Sequence, residues 1–167
     1  TGAQPEAVSP KVQISWSALV PYLAVRIACV GVFWTGLTRT TFAVLVACFV
    51  VRMFFLTVGY HRYFAHRAFK TSRGFQFFLA LMGSTCLQGG VLWWAETHRR
   101  HHRLADTPDD LHSPTFKGFL YSHYGWFLDV RHRKTLYERI PDLSRYPELV
   151  WLDKYHFAPF ALFAAVI

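Results

Sequence analysis

The sequence has few charged residues and few cysteines for its length of 167 residues. Only 17% of the residues are Asp, Glu, Lys or Arg, against 53% apolar residues, and this composition excludes a disordered chain. Its three cysteines, Cys29, Cys48 and Cys86, are far apart and lie in apolar stretches. This spacing excludes a disulfide framework and a CxxC metal site. No internal repeat or low-complexity tract is present.

Acidic residues are scarce as well, with 10 Asp and Glu against 18 Lys and Arg, which gives a net charge of +8. We exclude a nucleic-acid-binding protein, because the basic residues lie beside apolar runs and no RNA- or DNA-binding motif accompanies them. The polar stretch Thr1–Pro10 does not have the pattern of a secretory signal. The length allows one domain. Because the chain begins with Thr1 and ends at Ile167 within an apolar run, we expect it to be an N-terminal fragment.

Two apolar stretches have the length of membrane spans, residues 18–37 with the single charge Arg26 and residues 41–60 with the single charge Arg52. Twenty helical residues cover roughly the 30 Å of a bilayer's hydrocarbon core. The short link Thr38–Thr40 favours an antiparallel helical hairpin. The alternative is a pair of buried helices in a water-soluble protein.

The flanking charges predict the orientation of this hairpin. The loop between the spans contains only Arg39, whereas a cluster of basic residues follows the second span, and the positive-inside rule therefore places both ends of the hairpin in the cytoplasm. The basic residues of that cluster are Arg62, Arg67, Lys70 and Arg73.

A third apolar run, Gly74–Ala95, contains no charge, but it includes Gln76, Gln88 and the pair Gly89–Gly90. These residues are typical of a bent or interfacial segment. Residues 61–155 are predicted to be cytoplasmic, with an amphipathic surface helix over Phe116–Val130. The apolar residues 156–167 are predicted to begin a third span.

Five histidines form two closely spaced motifs, HxxxxH at His61 and His66 and HxxHH at His98, His101 and His102. On a helix, the three histidines of the second motif share one face. His61 and His66 of the first motif are about 140° apart on an ideal α-helix, so they could flank a site only where the helix ends or is distorted. Five imidazoles without cysteine favour iron, zinc, copper or nickel over magnesium or calcium. If Gly74–Ala95 crossed the membrane, the two motifs would lie on opposite sides and could not bind one metal centre. We therefore expect that this segment does not cross.

The order of these motifs resembles the membrane acyl-CoA desaturases, the stearoyl or delta-9 branch of the fatty acid desaturases. The resemblance rests on GYHRYFAHRAF at 59–69, WAETHRRHHRLADTPDDLHSP at 94–114 and GFLYSHYGWFL at 118–128, after the paired apolar runs. It implies an all-α integral membrane protein with four spans and a cytoplasmic helical cap, of which this chain is an incomplete part. The family's third histidine box, HNxHH, does not occur within these 167 residues.

The resemblance also implies a diiron centre, in which His61, His66, His98, His101 and His102 are iron ligands and the remaining ligands lie beyond Ile167. Family members take electrons from a small haem carrier or a ferredoxin, cleave dioxygen and insert a cis double bond into a long-chain acyl substrate such as an acyl-CoA. Beyond the metal ligands we expect no further catalytic or cofactor-binding residue. The alternatives are a related diiron membrane hydroxylase and a catalytically incomplete fragment.

Residues near the second motif are candidates for supporting roles. Metal-bound imidazoles usually donate their second N–H to a carboxylate or a carbonyl. The carboxylates close enough in sequence are Glu96, Asp106, Asp109 and Asp110. Three arginines are predicted to contact a substrate head group, an acidic electron donor or anionic lipid, or to form a solvated basic face. They are Arg99, Arg100 and Arg103. The histidines outside the motifs, which we expect to matter much less, are His112, His123, His132 and His156.

The predicted topology can be tested by cysteine-accessibility labelling. With both motifs on the cytoplasmic side, single cysteines introduced at Lys70 and Ala105 should react with a membrane-impermeant reagent from that same side. Labelling of the two positions from opposite sides of the membrane would contradict the predicted topology.

Overall fold

A computed structural model of the protein describes residues 12–166, so the polar stretch Thr1–Pro10 and the final residue Ile167 lie outside it. Within the described range the chain is helical and has no strand, apart from an isolated antiparallel bridge between Ile14 and Asp129. The α-helices are α1 Trp16–Val30, α2 Val32–Thr35, α3 Arg39–Phe54, α4 Arg73–Ser84, α5 Val91–Leu104, α6 Pro114–Lys117, α7 Trp126–Leu128, α8 Pro141–Ser144, α9 Pro147–Lys154 and α10 Ala158–Val166. Two π-helices cover Phe55–Ala65 and Tyr121–Gly125, and two short 3-10 helices cover Val130–His132 and Tyr137–Arg139.

These elements form two compact units. The first combines the described residues up to Gly36 with Arg100–Lys134, and the second combines Leu37–Arg99 with the described residues from Thr135 onward. Helix α5 contributes its first part to the second unit and its last turn to the first.

Two helical stretches, Trp16–Thr35 and Arg39–Ala65, are long and apolar enough to cross a membrane by length and composition. They overlap the spans predicted from the sequence. Only 6% of the most apolar window of each stretch is buried, whereas a core helix of a water-soluble protein would be mostly buried. Their apolar side chains face outward, and this arrangement favours an apolar surrounding.

The charge inside the second apolar stretch packs against aromatic rings. The guanidinium of Arg52 lies over the rings of Phe163, at 4.4 Å, and Phe160, at 5.5 Å, both on α10. In the first stretch, the guanidinium of Arg26 lies 4.2 Å from the ring centre of Tyr22. Cation–π contacts of this kind stabilise a positive charge within an apolar environment.

The third apolar run is not one continuous helix. Helix α4 ends at Ser84, residues 85–90 form a turn, and α5 begins at Val91. The bend predicted from the Gly89–Gly90 pair is therefore present. Helix α4 buries Gln76, Leu79 and Ala80 against the core of the second unit instead of presenting a uniform apolar surface.

The prediction of one amphipathic helix over Phe116–Val130 is wrong. Gly118, with a φ of 77°, ends α6 and interrupts the helical structure, which resumes at 119–128 around a π-helical turn. Asp129 then adopts an extended backbone, and the N–H of Val130 donates to the carbonyl of Gln13 at 2.9 Å. The positive φ at a glycine and this pairing with the N-terminal segment explain the two breaks.

The core of the second unit surrounds the end of the long apolar helix. Tyr60 is fully buried, with its hydroxyl 3.0 Å from the Ser84 hydroxyl and its ring against Gly83. A Cβ at Gly83 would lie 2.4 Å from the Tyr60 ring, so only glycine allows this approach. Aliphatic side chains from α4, α5, α8 and α9 complete the core.

Asp153 on α9 fixes the start of α5. Its Oδ1 accepts hydrogen bonds from the backbone N–H groups of Leu92, at 2.8 Å, and Trp93, at 2.9 Å. Its Oδ2 accepts from the hydroxyls of Thr135 and Tyr137. A carboxylate at a helix N-terminus pairs the otherwise unsatisfied N–H groups and is favoured by the helix dipole. Asp153 therefore acts as an N-terminal cap that is distant in sequence from its helix.

This cap predicts the effect of a methyl group at Gly90. A Cβ at this position would lie 2.2 Å from Oδ1 of Asp153, so the Gly90→Ala variant must displace the carboxylate and should lose about 2–3 kcal/mol of stability. Gly74→Ala, where a Cβ would meet nothing within 4 Å, is the matched control and should be neutral or stabilising by up to about 1 kcal/mol. Denaturation in detergent micelles, followed by circular dichroism, measures both. Equal stability of the two variants would contradict the cap.

Candidate metal centre

The first histidine motif lies where the backbone departs from α-helical geometry. Phe55–Ala65 is a π-helix, and the N–H of His66 donates to the carbonyl of His61 at 3.0 Å. In this i→i+5 pattern a residue lies on the same side of the helix as the residue five positions before it. In an α-helix the two residues would be about 140° apart. The helix is thus distorted at the point where the HxxxxH spacing requires distortion, and both imidazoles face the same side.

The first residue of the second motif joins this pair in the second unit. Nε2 of His66 lies 3.1 Å from Nε2 of His61 and 3.2 Å from Nε2 of His98. We call these three residues the three-histidine group. Two imidazole nitrogens that each lie about 2.1 Å from one ion are about 3.0 Å apart in octahedral and about 3.4 Å apart in tetrahedral geometry. The donor set and the spacing of its nitrogens therefore fit a transition-metal ion.

Trp94, one turn before His98 on α5, packs against two rings of the three-histidine group. The rings of Trp94 and His98 are stacked, with centres 4.6 Å apart and planes 16° from parallel, and the ring of His61 lies 6.2 Å from Trp94. On the other side His66 is exposed. The group therefore contacts one aromatic ring on α5 and includes an exposed imidazole. Sequence reasoning missed Trp94, although its i−4 spacing from His98 indicates a shared helix face.

The last turn of α5 carries the remaining motif histidines. His102 is one helical turn after His98, and its ring lies 5.5 Å from that of His101. In the first unit, Nδ1 of His101 lies 2.8 Å from Oδ1 of Asp110, whose carboxylate also accepts the backbone N–H of His112 at 2.9 Å. An ionised carboxylate can only accept, so Nδ1 of His101 carries the hydrogen and Nε2 of the neutral ring holds the lone pair that a metal requires.

His112 is closer to this pair than its position outside the motifs predicts. Its ring centre lies 4.7 Å from that of His101 and 4.3 Å from that of Trp126, and its Nδ1 lies 3.9 Å from Oδ1 of Asp110. Together His101, Asp110 and His112 are a second group with metal-ligand chemistry, all within the first unit. The signal available in the sequence was that His112 is two positions after Asp110, a candidate partner of a motif imidazole.

Burial and hydrogen bonding shift the pKa values in this second group. Burial by itself would raise the pKa of Asp110, but hydrogen bonds from the His101 ring and the His112 N–H outweigh it and hold that pKa below its usual value. Burial lowers the pKa of His112, and the nearby His101 lowers it further. The two shifts favour an ionised Asp110 carboxylate and a neutral His112 imidazole at neutral pH.

The other predicted supporting residues occupy different surroundings. Glu96 is buried, and it accepts a hydrogen bond from Nη1 of Arg139 at 3.2 Å, whereas Asp106 and Asp109 are exposed. Of the four carboxylates, Asp110 contacts a motif imidazole.

The three predicted head-group arginines also differ from one another. The guanidinium of Arg99 is bonded to backbone carbonyls and to the carboxylate of Asp142. Burial lowers the pKa of His132, and the positive charge of Arg100 lowers it further. Arg103 is exposed.

Two long apolar helices together with clustered imidazoles are typical of histidine-rich membrane oxidoreductases. The family model for fatty acid desaturases matches residues 37–167, and the chain belongs to the fatty acid desaturase family. It is 36% identical over 142 residues to a probable acyl-CoA desaturase of Schizosaccharomyces pombe, a match that covers 84% of this chain and 29% of the relative.

Two further relatives show how much of a desaturase this chain represents. It is 30% identical to a Delta(9)-fatty-acid desaturase of Caenorhabditis elegans, over 94% of this chain and 48% of the relative. It is 31% identical to an sn-1 stearoyl-lipid 9-desaturase of Anabaena variabilis, over 89% of this chain and 56% of the relative. The chain thus spans between about a third and just over half the length of these relatives. The family predicted from the motifs is confirmed.

The three-histidine group predicts metal binding that can be followed without catalysis. Alanine at His61, His66 or His98 should each weaken Co²⁺ binding by about 100-fold or more, because a ligand nitrogen is lost. Titration followed by the visible absorption of Co²⁺ measures the affinity. His123→Ala is the matched control, since its ring stacks on Phe119 in the first unit. A comparable loss in the control, or none in the three variants, would contradict the site.

Proposed function

We propose that the protein is a membrane-bound desaturase that inserts a cis double bond into a long-chain fatty acyl substrate, an acyl-CoA, with dioxygen as the oxidant. The observation that carries the proposal is the convergence of His61, His66 and His98 from two separate motifs, with Nε2 atoms 3.1 and 3.2 Å apart. Family membership supports the same reaction.

The proposed cofactor is a pair of iron ions held by the five motif histidines and by ligands outside these residues. The three-histidine group would supply ligands to one ion, His101 would supply a ligand to the other, and His102 is the fifth proposed ligand. When bound, iron would activate dioxygen for the removal of hydrogen from an unactivated methylene, which no side-chain base can deprotonate.

The protein's own residues would hold these ligands in place. Asp110 would keep the Nδ1 hydrogen of His101 in a hydrogen bond and so orient its ring. Trp94 would fix the plane of the His98 ring by stacking and exclude water from that side. Positional selectivity would then follow from where a dry channel holds one methylene pair against the metal.

The proposed location is a membrane, with several spans and with the histidine motifs on the cytoplasmic side. The two outward-facing apolar helices support this location, and the basic residues after the second helix support the orientation. The proposed partners are membrane lipid and a small electron donor, either a haem carrier or a ferredoxin. Such a donor would provide two electrons, which, together with two protons from water and the two hydrogens removed from the substrate, would reduce dioxygen to two water molecules.

A related diiron hydroxylase is the alternative, because it would use the same imidazole ligands. The two are separated by their products, since a desaturase releases an alkene and a hydroxylase an alcohol. The names of the relatives favour the alkene, because the three described above are all desaturases.

The test is product analysis with the full-length protein that contains these residues. Reconstituted in lipid with ferrous iron, a reductant and an electron donor, it should convert a saturated acyl-CoA into a monounsaturated product, detected by mass spectrometry. Alanine at any of the five motif histidines should abolish the product and lower bound iron. His123→Ala and His156→Ala should have much smaller effects.

The 167 residues alone are the negative control of this experiment. Two irons need at least three or four protein ligands each to be held against solvent, so five imidazoles are too few and no product is expected. Turnover by these residues alone would overturn the proposed ligand count. An alcohol as the main product would favour the hydroxylase, and wild-type activity of His101→Ala would contradict the ligand assignment.

A further inference from the structure

Arg99 follows His98 on α5, and its side chain is only 11% exposed. Its Nε donates to the carbonyl of Ala65 at 3.0 Å, and its Nη2 donates to the carbonyl of Phe64 at 2.5 Å. These carbonyls belong to the last turn of the π-helix, where backbone acceptors have no partner further along the helix. A guanidinium from another helix therefore closes the end of the segment that carries the first histidine motif.

The same guanidinium is held from its other side by Asp142 at the start of α8. Nη1 lies 2.8 Å from one carboxylate oxygen of Asp142 and Nη2 lies 3.0 Å from the other. Asp142 also pairs with Nη2 of Arg67 at 3.0 Å. Four of the five N–H donors of Arg99 are thus engaged, in the planar geometry that only arginine offers.

These contacts connect the two backbones that carry the three-histidine group. Arg99 binds the carbonyls of the two residues before His66, and it directly follows His98 in the chain. The Nε2 atoms of His66 and His98 are 3.2 Å apart, so a small slide of α5 along the π-helix would change the distance that a shared metal ion requires. The hydrogen bonds from the Arg99 side chain on α5 to the two carbonyls of the π-helix resist such a slide.

We propose that Arg99 is a positioning residue that sets the distance between the two histidine motifs, in place of the head-group role predicted from the sequence. Asp142 holds the guanidinium in the plane from which it reaches both carbonyls. The inference rests on the proposed function to the extent that it takes the three-histidine group to be a metal site. It adds that the affinity of this site depends on an arginine that does not touch the metal.

Arg99→Lys is the informative change, because lysine keeps the positive charge but cannot bridge two carbonyls and a carboxylate at once. Co²⁺ titration of the whole 167-residue chain in lipid nanodiscs should show affinity reduced by about 10–100-fold, the effect typical of residues that hold metal ligands in place. The visible absorption of bound Co²⁺ should also change, since its shape reports ligand geometry. In Arg99→Ala, added guanidinium ion should restore part of both signals.

Arg73→Lys is the matched control. Arg73 forms an equally bidentate pair with Glu148, at 2.6 and 2.8 Å, between α4 and α9 of the same unit. Its loss should leave the affinity and the absorption of Co²⁺ unchanged, which separates positioning from a general loss of stability. Asp142→Asn, which removes the charge that orients Arg99, should lower the affinity in the same direction but less, and it carries the test if Arg99→Lys does not fold.

The results distinguish this inference from the proposed function. Wild-type affinity and absorption in folded Arg99→Lys, or in Asp142→Asn if the lysine variant does not fold, would overturn the positioning role and leave the metal site standing. A loss in Arg73→Lys equal to that in Arg99→Lys would overturn it as well. If the unaltered chain bound no Co²⁺, the metal site itself would be wrong, and the role of Arg99 with it.

Discussion

The hydrogen bond from the N–H of His66 to the carbonyl of His61 is the constraint on which the site depends. An α-helix would turn these two imidazoles away from each other, and a loop would hold neither at a fixed distance. The π-helix keeps a hydrogen-bonded backbone and still places residues five apart on one side. The HxxxxH spacing is therefore matched to a backbone that is rare in proteins and often found at functional sites.

Such a backbone needs support from its surroundings, and the second unit provides it on several sides. Tyr60 is inserted against Gly83 in the core, and Arg99 closes the carbonyls of the last π-helical turn. Asp153 fixes the start of α5, which carries both His98 and Arg99. The histidines thus depend on residues of α4, α8 and α9 that have no ligand chemistry of their own.

Several charges among the described residues lie beside a specific counterpart. Arg52, within an apolar helix, lies over two aromatic rings, and Arg99 is surrounded by carbonyl oxygens and the Asp142 carboxylate. Asp110 is ionised beside His101 because hydrogen bonds to its oxygens outweigh the effect of its burial. Asp110, Asp142 and Asp153 are accordingly partners for an imidazole, an arginine and a helix N-terminus. A low acidic content therefore still permits buried carboxylates.

Composition, run length and motif spacing by themselves determined the helical class, the two apolar helices, the bend near Gly89–Gly90, the five motif histidines and the family. These properties are local, since periodicity and spacing follow from a few turns of helix. The tertiary structure decided what depends on distant partners. The HxxxxH spacing indicated that the helix must end or be distorted there, and the structure shows that the distortion is a π-helix. The cap from Asp153 to α5 and the four bonds of Arg99 join residues whose separation along the chain gives no sign of contact. The break at Asp129 has the same origin, because Val130 pairs with Gln13 and no amphipathic pattern within Phe116–Val130 could reveal that pairing.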